Sequence, residues 1–289
     1  MDNLRDAPML EDKDALYKAW RASASYRLML VLSLVLLGLA LLLTIKWPSY
    51  TLHLMAFRSP LTLNLSLVWP LVGLLTVVMA LGMAFIFRQH PSMRGRPLLE
   101  LMVLWPLPAL IVSLAALLLQ RISSGVLWAG GIAFMGLILY LLLHLECQLV
   151  GRPPGESQWA EWTIHLLAYL LALTYFVLIS QAGLRTLLSA PAILLVGGLL
   201  AVRLLHGAAP DRREVGICAL AIGLVLGEAT WALNYWPGRS IVGGVLLLLI
   251  FYLLIGLARQ GLQHRLTWSA LLEYGIVALL GLGLLLRFG

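Results

Sequence analysis

Val215–Pro237 reads VGICALAIGLVLGEATWALNYWP, and this stretch decides what kind of protein the chain is. From Val215 to Leu226 it carries no charge, and at 23 residues it exceeds the ~20 mainly apolar residues that a transmembrane helix needs. Glu228 then places a carboxylate inside what would be hydrocarbon. A charge at the centre of a membrane helix costs about 3 kcal/mol on insertion scales. One such residue does not forbid insertion, but it demands a partner, a proton or water. Trp231 and Tyr235 follow three and seven residues on, hence on the same helical face, and Asn234 flanks them. The spacing predicts a polar and aromatic stripe rising to the outer end of the span, with Glu228 about 12 Å deep at 1.5 Å per residue.

The rest of the chain repeats the pattern. Of 289 residues, 61% are hydrophobic and 11% charged, against about 25% charged in soluble domains. Apolar runs fall at about 26–45, 68–87, 98–119, 124–145, 159–179, 184–205, 214–235, 241–258 and 269–286. The expected fold is therefore all-α, a polytopic transmembrane bundle of about nine spans. A single transmembrane domain occupies 26–289, behind a cytoplasmic arm at 1–25. That arm mixes acids and bases and does not read as a signal peptide. A short helix bearing Trp20 at headgroup level and a solvated tail are its two readings.

Orientation follows from charge. Lys46, Arg58, Arg121, Arg185, Arg239 and Arg287 fall on one side; the other fourteen of the 20 basic residues fall on the opposite side or in the arm. The positive-inside rule then puts the N-terminus inside and the C-terminus outside, in a plasma (inner) membrane. The net charge of +7 has the same explanation, together with anionic headgroups. The bilayer, and other membrane subunits, are the expected partners. No nucleic-acid partner is expected, because no soluble basic face can be built.

Two regularities mark the later spans. Glu100, Glu161, Glu214 and Glu273 open odd-numbered spans, where the helix dipole favours negative charge. Gly130-Gly131, Gly197-Gly198 and Gly243-Gly244 lie in even-numbered spans, as small residues that let helices approach. Together they read as weakly repeated helical hairpins. The connection at 48–66 differs: Leu61, Leu63, Leu65 and Leu67 alternate with Thr62, Asn64 and Ser66. Period two is a strand signal or an extended segment on a surface, here an extracytoplasmic loop lying over the bundle.

Three sets of residues are candidates for chemistry. The first is Glu228 with Trp231, Asn234 and Tyr235, joined at similar depth by Tyr175, Ser113 and Thr76; Arg185 and Arg239 reach inward from the outer end. The second is Trp105-Pro106-Leu107-Pro108, near the middle of the third span. Each proline removes a backbone donor, so Pro106 and Pro108 are expected to kink or unwind the helix. The third is His144, Glu146, Glu161, His165 and His206 at the inner ends of spans four to six. Zinc or a b-type haem is what His144, His165 and His206 would hold, but no spacing supports either, and no cofactor is expected. His144 and Glu146 fall about 200° apart around one helix. Cys147 and Cys218 show neither metal-type nor disulfide-framework spacing.

Nucleophile, phosphate-loop and metal-diphosphate motifs are missing, so an enzyme is not expected. The sequence points first to a non-catalytic, membrane-embedded structural or interaction subunit. A transporter or binder of a small molecule, ion or lipid around Glu228 is the alternative. A membrane redox or metal protein using the histidines is the third reading.

Overall fold

The structure is a computed structural model that describes residues 26–42, 44–45, 49–56, 59–66, 68–89, 103–122, 124–149, 158–182, 186–209, 211–235, 240–263 and 267–288. The arm at 1–25, Glu100, Arg185 and Arg239 lie outside them. The described residues form nine helices and one hairpin. These are α1 (Tyr26–Leu42), β1 (Ser49–Ala56), β2 (Ser59–Ser66), α2 (Val68–Arg88), α3 (Pro106–Leu119) and α4 (Gly125–Leu149). There follow α5 (Gln158–Gln181), α6 (Thr186–Leu204), α7 (Arg212–Asn234), α8 (Ser240–Leu262) and α9 (Trp268–Phe288). Six of them (α2, α4, α5, α6, α7 and α8) are long and apolar enough to cross a membrane. The chain groups into two compact units, 1–151 and 152–289.

Of the alternating leucines, Leu61, Leu63 and Leu65 belong to β2, and Leu67 lies outside the described residues. β1 and β2 pair antiparallel, with Leu52 opposite Leu63 and Leu54 opposite Leu61. The period-two signal is thus a true ladder, and its register sets apolar positions against apolar positions. The helical bundle carries this one hairpin in place of a plain loop.

In the first unit α1 runs antiparallel to α2, with Gly38 against Leu75 and Gly82 against Val31. Arg27, at the start of α1, stands 5.9 Å over the ring of Phe85, near the end of α2. The core joins Leu39 and Leu42 of α1, Val72 of α2, and Ala115, Ala116 and Leu119 of α3, with Trp128, Ile132 and Met135 of α4 packed on it. Along α2, by contrast, Leu74, Val77, Leu81 and Phe85 form an exposed row. Contiguous exposed apolar rows of this kind mark a surface meant for lipid or for another protein.

In the second unit, close contacts show α6 antiparallel to α7, α5 to α8, and α8 to α9. α6 and α7 meet through backbone. A Cβ on Gly223 would stand 2.8 Å from the carbonyl oxygen of Leu194 and 3.4 Å from Cα of Gly198. α5 and α8 do the same at Gly244, where a Cβ would stand 2.7 Å from Cα of Val177. Beside that crossing Phe251 receives Tyr169 and Phe176 edge-on, each at 5.9 Å between centroids. α8 and α9 touch where Tyr274 lies over Gly256.

The turn between α6 and α7 has recognisable chemistry. Gly207 takes φ +81°, a left-handed conformation that glycine adopts without penalty after a helix end. Asp211 caps α7 by accepting from the Arg213 backbone N–H at 2.9 Å.

Gly223→Val is expected to cost about 1–3 kcal/mol, because the backbone across α6 cannot rotate away as a side chain would. Gly216→Ala, on the same helix with nothing within 4 Å of the added Cβ, is expected to be neutral or stabilising by less than about 1 kcal/mol. Reversible unfolding in mixed micelles would compare the two.

Candidate functional site

α7 is two-faced. Val215, Ala219, Ile222, Gly223, Leu226, Gly227 and Thr230 are buried. Ile217, Leu220, Leu224, Trp231 and Tyr235 are exposed, and so is Glu228. The buried side is set by the small residues Ala219, Gly223 and Gly227, spaced four apart, which fit α6. The opposite side receives what remains, including the carboxylate. Glu228 lies six residues before the helix end, about 9 Å along the axis. Trp231, at 57% exposed, and Tyr235 continue its stripe towards that end, as the spacing predicts.

The other members of this set separate from Glu228. The Asn234 amide donates to the Ser189 hydroxyl at 3.0 Å, tying the end of α7 to the start of α6. Ser189 is buried, so Asn234 acts at the helix seam. Tyr175 is only 5% exposed, on the packed side of α5 with Leu171, Ala172 and Phe176. Thr76 and Ser113, both in the first unit, donate back to the carbonyls of Val72 (2.8 Å) and Leu110 (3.0 Å) on their own helices. Thr230 does likewise to Leu226 at 2.7 Å. Such back-bonding satisfies hydroxyls inside apolar surroundings without a ligand.

Pro106 and Pro108 depart from expectation. Residues 103–105 form a turn, Trp105 is the N-cap, and α3 begins at Pro106. The prolines therefore occupy the first and third helical positions. The first four N–H groups of a helix have no intrahelical acceptor, so these prolines remove donors that would be unpaired anyway. The first ladder bond runs from Ala109 N–H to Trp105 C=O at 3.1 Å. Instead of breaking a helix, they start one. α3 has 14 residues, of which eleven are buried, as expected for a helix apolar on all sides.

The histidines form no common centre. Among the described residues no group of three His, Cys, Asp or Glu side chains is placed to hold a metal. His144 Nε2 lies 3.0 Å from Gln148 Nε2, and its ring stacks on Tyr140. His206 is exposed in the turn after α6. His165 Nδ1 is 2.7 Å from the carbonyl of Glu161, and Arg259 Nη1 is 3.4 Å from His165 Nε2. A carbonyl can only accept, so the proton sits on Nδ1, and Nε2 takes the arginine N–H. Both ring nitrogens are occupied, and the neighbour is a cation.

The 200° separation of His144 and Glu146 holds. His144 is exposed, while Glu146 is 0% exposed, in line with buried Gly136, Leu139, Leu142 and Leu143 on α4. Glu146 is thus a more deeply buried acid than Glu228. Its place at the three-, four- and seven-residue spacing of those leucines was the available signal. Cys147 and Cys218 are half-buried, and neither is in a disulfide.

These features define a helical protein with six helices long and apolar enough to cross a membrane, with Glu228 on an outward helix face and Glu146 in the packing. Over residues 47–287 the chain matches the family DUF5656, described as proteins of unknown function, and it belongs to that family. The matched segment takes in the hairpin and α2 to α9 and leaves α1 outside. No curated protein and no solved structure matches the chain.

Pro106→Ala and Pro108→Ala are each expected to change stability by less than about 1 kcal/mol, whereas Val112→Pro, inside the same helix, is expected to cost about 3 kcal/mol or more. Thermal unfolding of the purified variants would read the contrast; equal losses would restore the mid-helix kink.

Proposed function

We propose that this protein is a non-catalytic, membrane-embedded subunit that holds a partner transmembrane helix against the outward face of α7. The observation that carries the reading is the exposure of Glu228 amid Ile217, Leu220, Leu224 and Trp231. Ionisable residues within membrane spans almost always face protein or water. A carboxylate on the outside of a packed unit is therefore half of a contact. Its complement is an apolar helix carrying one hydrogen-bond donor or cation at matching depth. Leu224 and Trp231 would supply the apolar contact and Glu228 the register.

The transport reading has less support. It drew on Tyr175, which lies inside helix packing, and on a break at Pro106 and Pro108, which is a helix start. The hydroxyls that would line a polar route bond to their own helices. The redox or metal reading loses His165 to Glu161 and Arg259.

The proposal includes nine crossings of a plasma (inner) membrane, with the N-terminus inside and the C-terminus outside. Support comes from six helices of spanning length, the three shorter apolar segments Tyr26–Leu42, Pro106–Leu119 and Leu272–Gly281, and the bias of basic residues. A C-terminal alkaline phosphatase fusion is expected to be active, and a C-terminal fluorescent-protein fusion dark. The reverse pattern would put the C-terminus inside and overturn the combination of nine crossings with an inside N-terminus.

The docking face is tested with Glu228→Leu and Glu228→Gln in native membranes. A photo-crosslinker at Leu224 is expected to give one discrete protein adduct. Glu228→Leu should reduce it at least about tenfold, the equivalent of one 1.4 kcal/mol hydrogen bond, and Glu228→Gln should retain part of it. Mixed-tag samples would show whether the partner is a second copy. An adduct unaffected by Glu228→Leu, or labelling of lipid alone, would overturn the reading.

A further inference from the structure

The antiparallel packing of the second unit gathers the starts of α5, α7 and α9 and the ends of α6 and α8 at one end. Trp159, Trp162 and Trp268 are all strongly exposed there. Tryptophans at helix ends settle at headgroup depth, so this end lies where lipid phosphates are.

Between the helices at that end stands a charged cluster. Arg203, in the last turn of α6, is 7% exposed. Arg259, in the last turn of α8, is exposed and donates to His165 Nε2. Both guanidinium groups, and the Glu161 carboxylate, lie within electrostatic reach of His165. Around His165 two arginines stand against one glutamate, a local positive surplus, while Glu273 lies beyond it beside Tyr274.

The neutral tautomer of His165 gives that surplus a direction. Its Nδ1–H is anchored on the Glu161 carbonyl, so Nε2 presents a fixed acceptor to one N–H of Arg259. A guanidinium has five N–H donors in a rigid fork. One of them faces the histidine, and the remaining four are the donors that the proposed ligand would use. Arginine forks match phosphate oxygens two at a time, and basic sites between membrane helices take anionic headgroups.

We propose that Arg259 and Arg203, with His165 as the positioning residue, bind the phosphate of an anionic membrane lipid. The site is separate from the α7 face and shares with the docking proposal only the membrane setting. Either can fail alone.

The experiment uses the full chain in phosphatidylcholine nanodiscs, with and without phosphatidylglycerol, and in phosphatidylcholine with inorganic phosphate. Thermal unfolding is the readout. Phosphatidylglycerol is expected to raise the midpoint of the native protein by several degrees. Arg259→Gln should lose more than half of that rise. Arg213→Gln, which removes an exposed arginine from the start of α7 at the same end, should keep it. If Arg259→Gln lowers the midpoint in phosphatidylcholine alone, Arg259→Lys, which keeps the charge but not the fork, takes its place and should lose part of the rise. A similar rise with inorganic phosphate, equally dependent on Arg259, keeps the site and assigns it to a free oxyanion. No rise, or equal losses in Arg259→Gln and Arg213→Gln, overturns the proposal.

Discussion

The second unit depends on backbone meeting backbone at glycine. In water, helices are driven together by burying apolar surface; between lipid tails that drive is absent, because the tails are as apolar as leucine. What remains is close packing and a few polar contacts. The approach of Gly223 to the Leu194 carbonyl and Gly198, and of Gly244 to Val177, brings helix axes near enough for dispersion along whole faces. The bond from Asn234 to Ser189 then helps to fix how far α7 slides along α6.

That packing also explains where Glu228 goes. A helix has one face that small residues make narrow enough to dock. On α7 this is the row Ala219, Gly223, Gly227, and the buried Thr230 extends it. Glu228 sits about 100° from Gly227, so it cannot share the seam. The acid is exposed because glycine claimed the other side. Glu146 shows the opposite arrangement: it occupies the packed stripe of α4 and is wholly buried. Two acids in two helices take opposite roles from their phase relative to neighbouring residues.

Much of this was legible in the sequence, and what was not has physical causes. Helix positions followed from apolar runs, since a bilayer imposes one length scale. The stripe of Glu228, Trp231 and Tyr235 followed from helical periodicity, and the strand ladder from the alternation at Leu61 to Leu67. Which face of α7 was buried did not follow, because its apolar faces look alike until Gly223 and Gly227 are read as a contact row. Of the paired glycines, Gly131, Gly197 and Gly244 meet close neighbours, while Gly130 faces open space. The prolines misled because the start of α3 is set by the turn at 103–105, whereas hydropathy continues across it. Tyr175 misled because depth along an axis says nothing about angle around it.

The central claim is that the outward face of α7 is covered by protein in the native membrane. A nitroxide at Trp231→Cys, on a Cys147→Ser, Cys218→Ser background, measures it directly. Collision with oxygen reports lipid, and collision with a water-soluble nickel complex reports an aqueous site. In native membrane vesicles both accessibilities are expected to be low, with oxygen accessibility rising once the protein is purified and reconstituted alone. High oxygen accessibility already in the native membrane would make the face lipid-exposed, and high nickel accessibility would make it an aqueous site; either result contradicts the account.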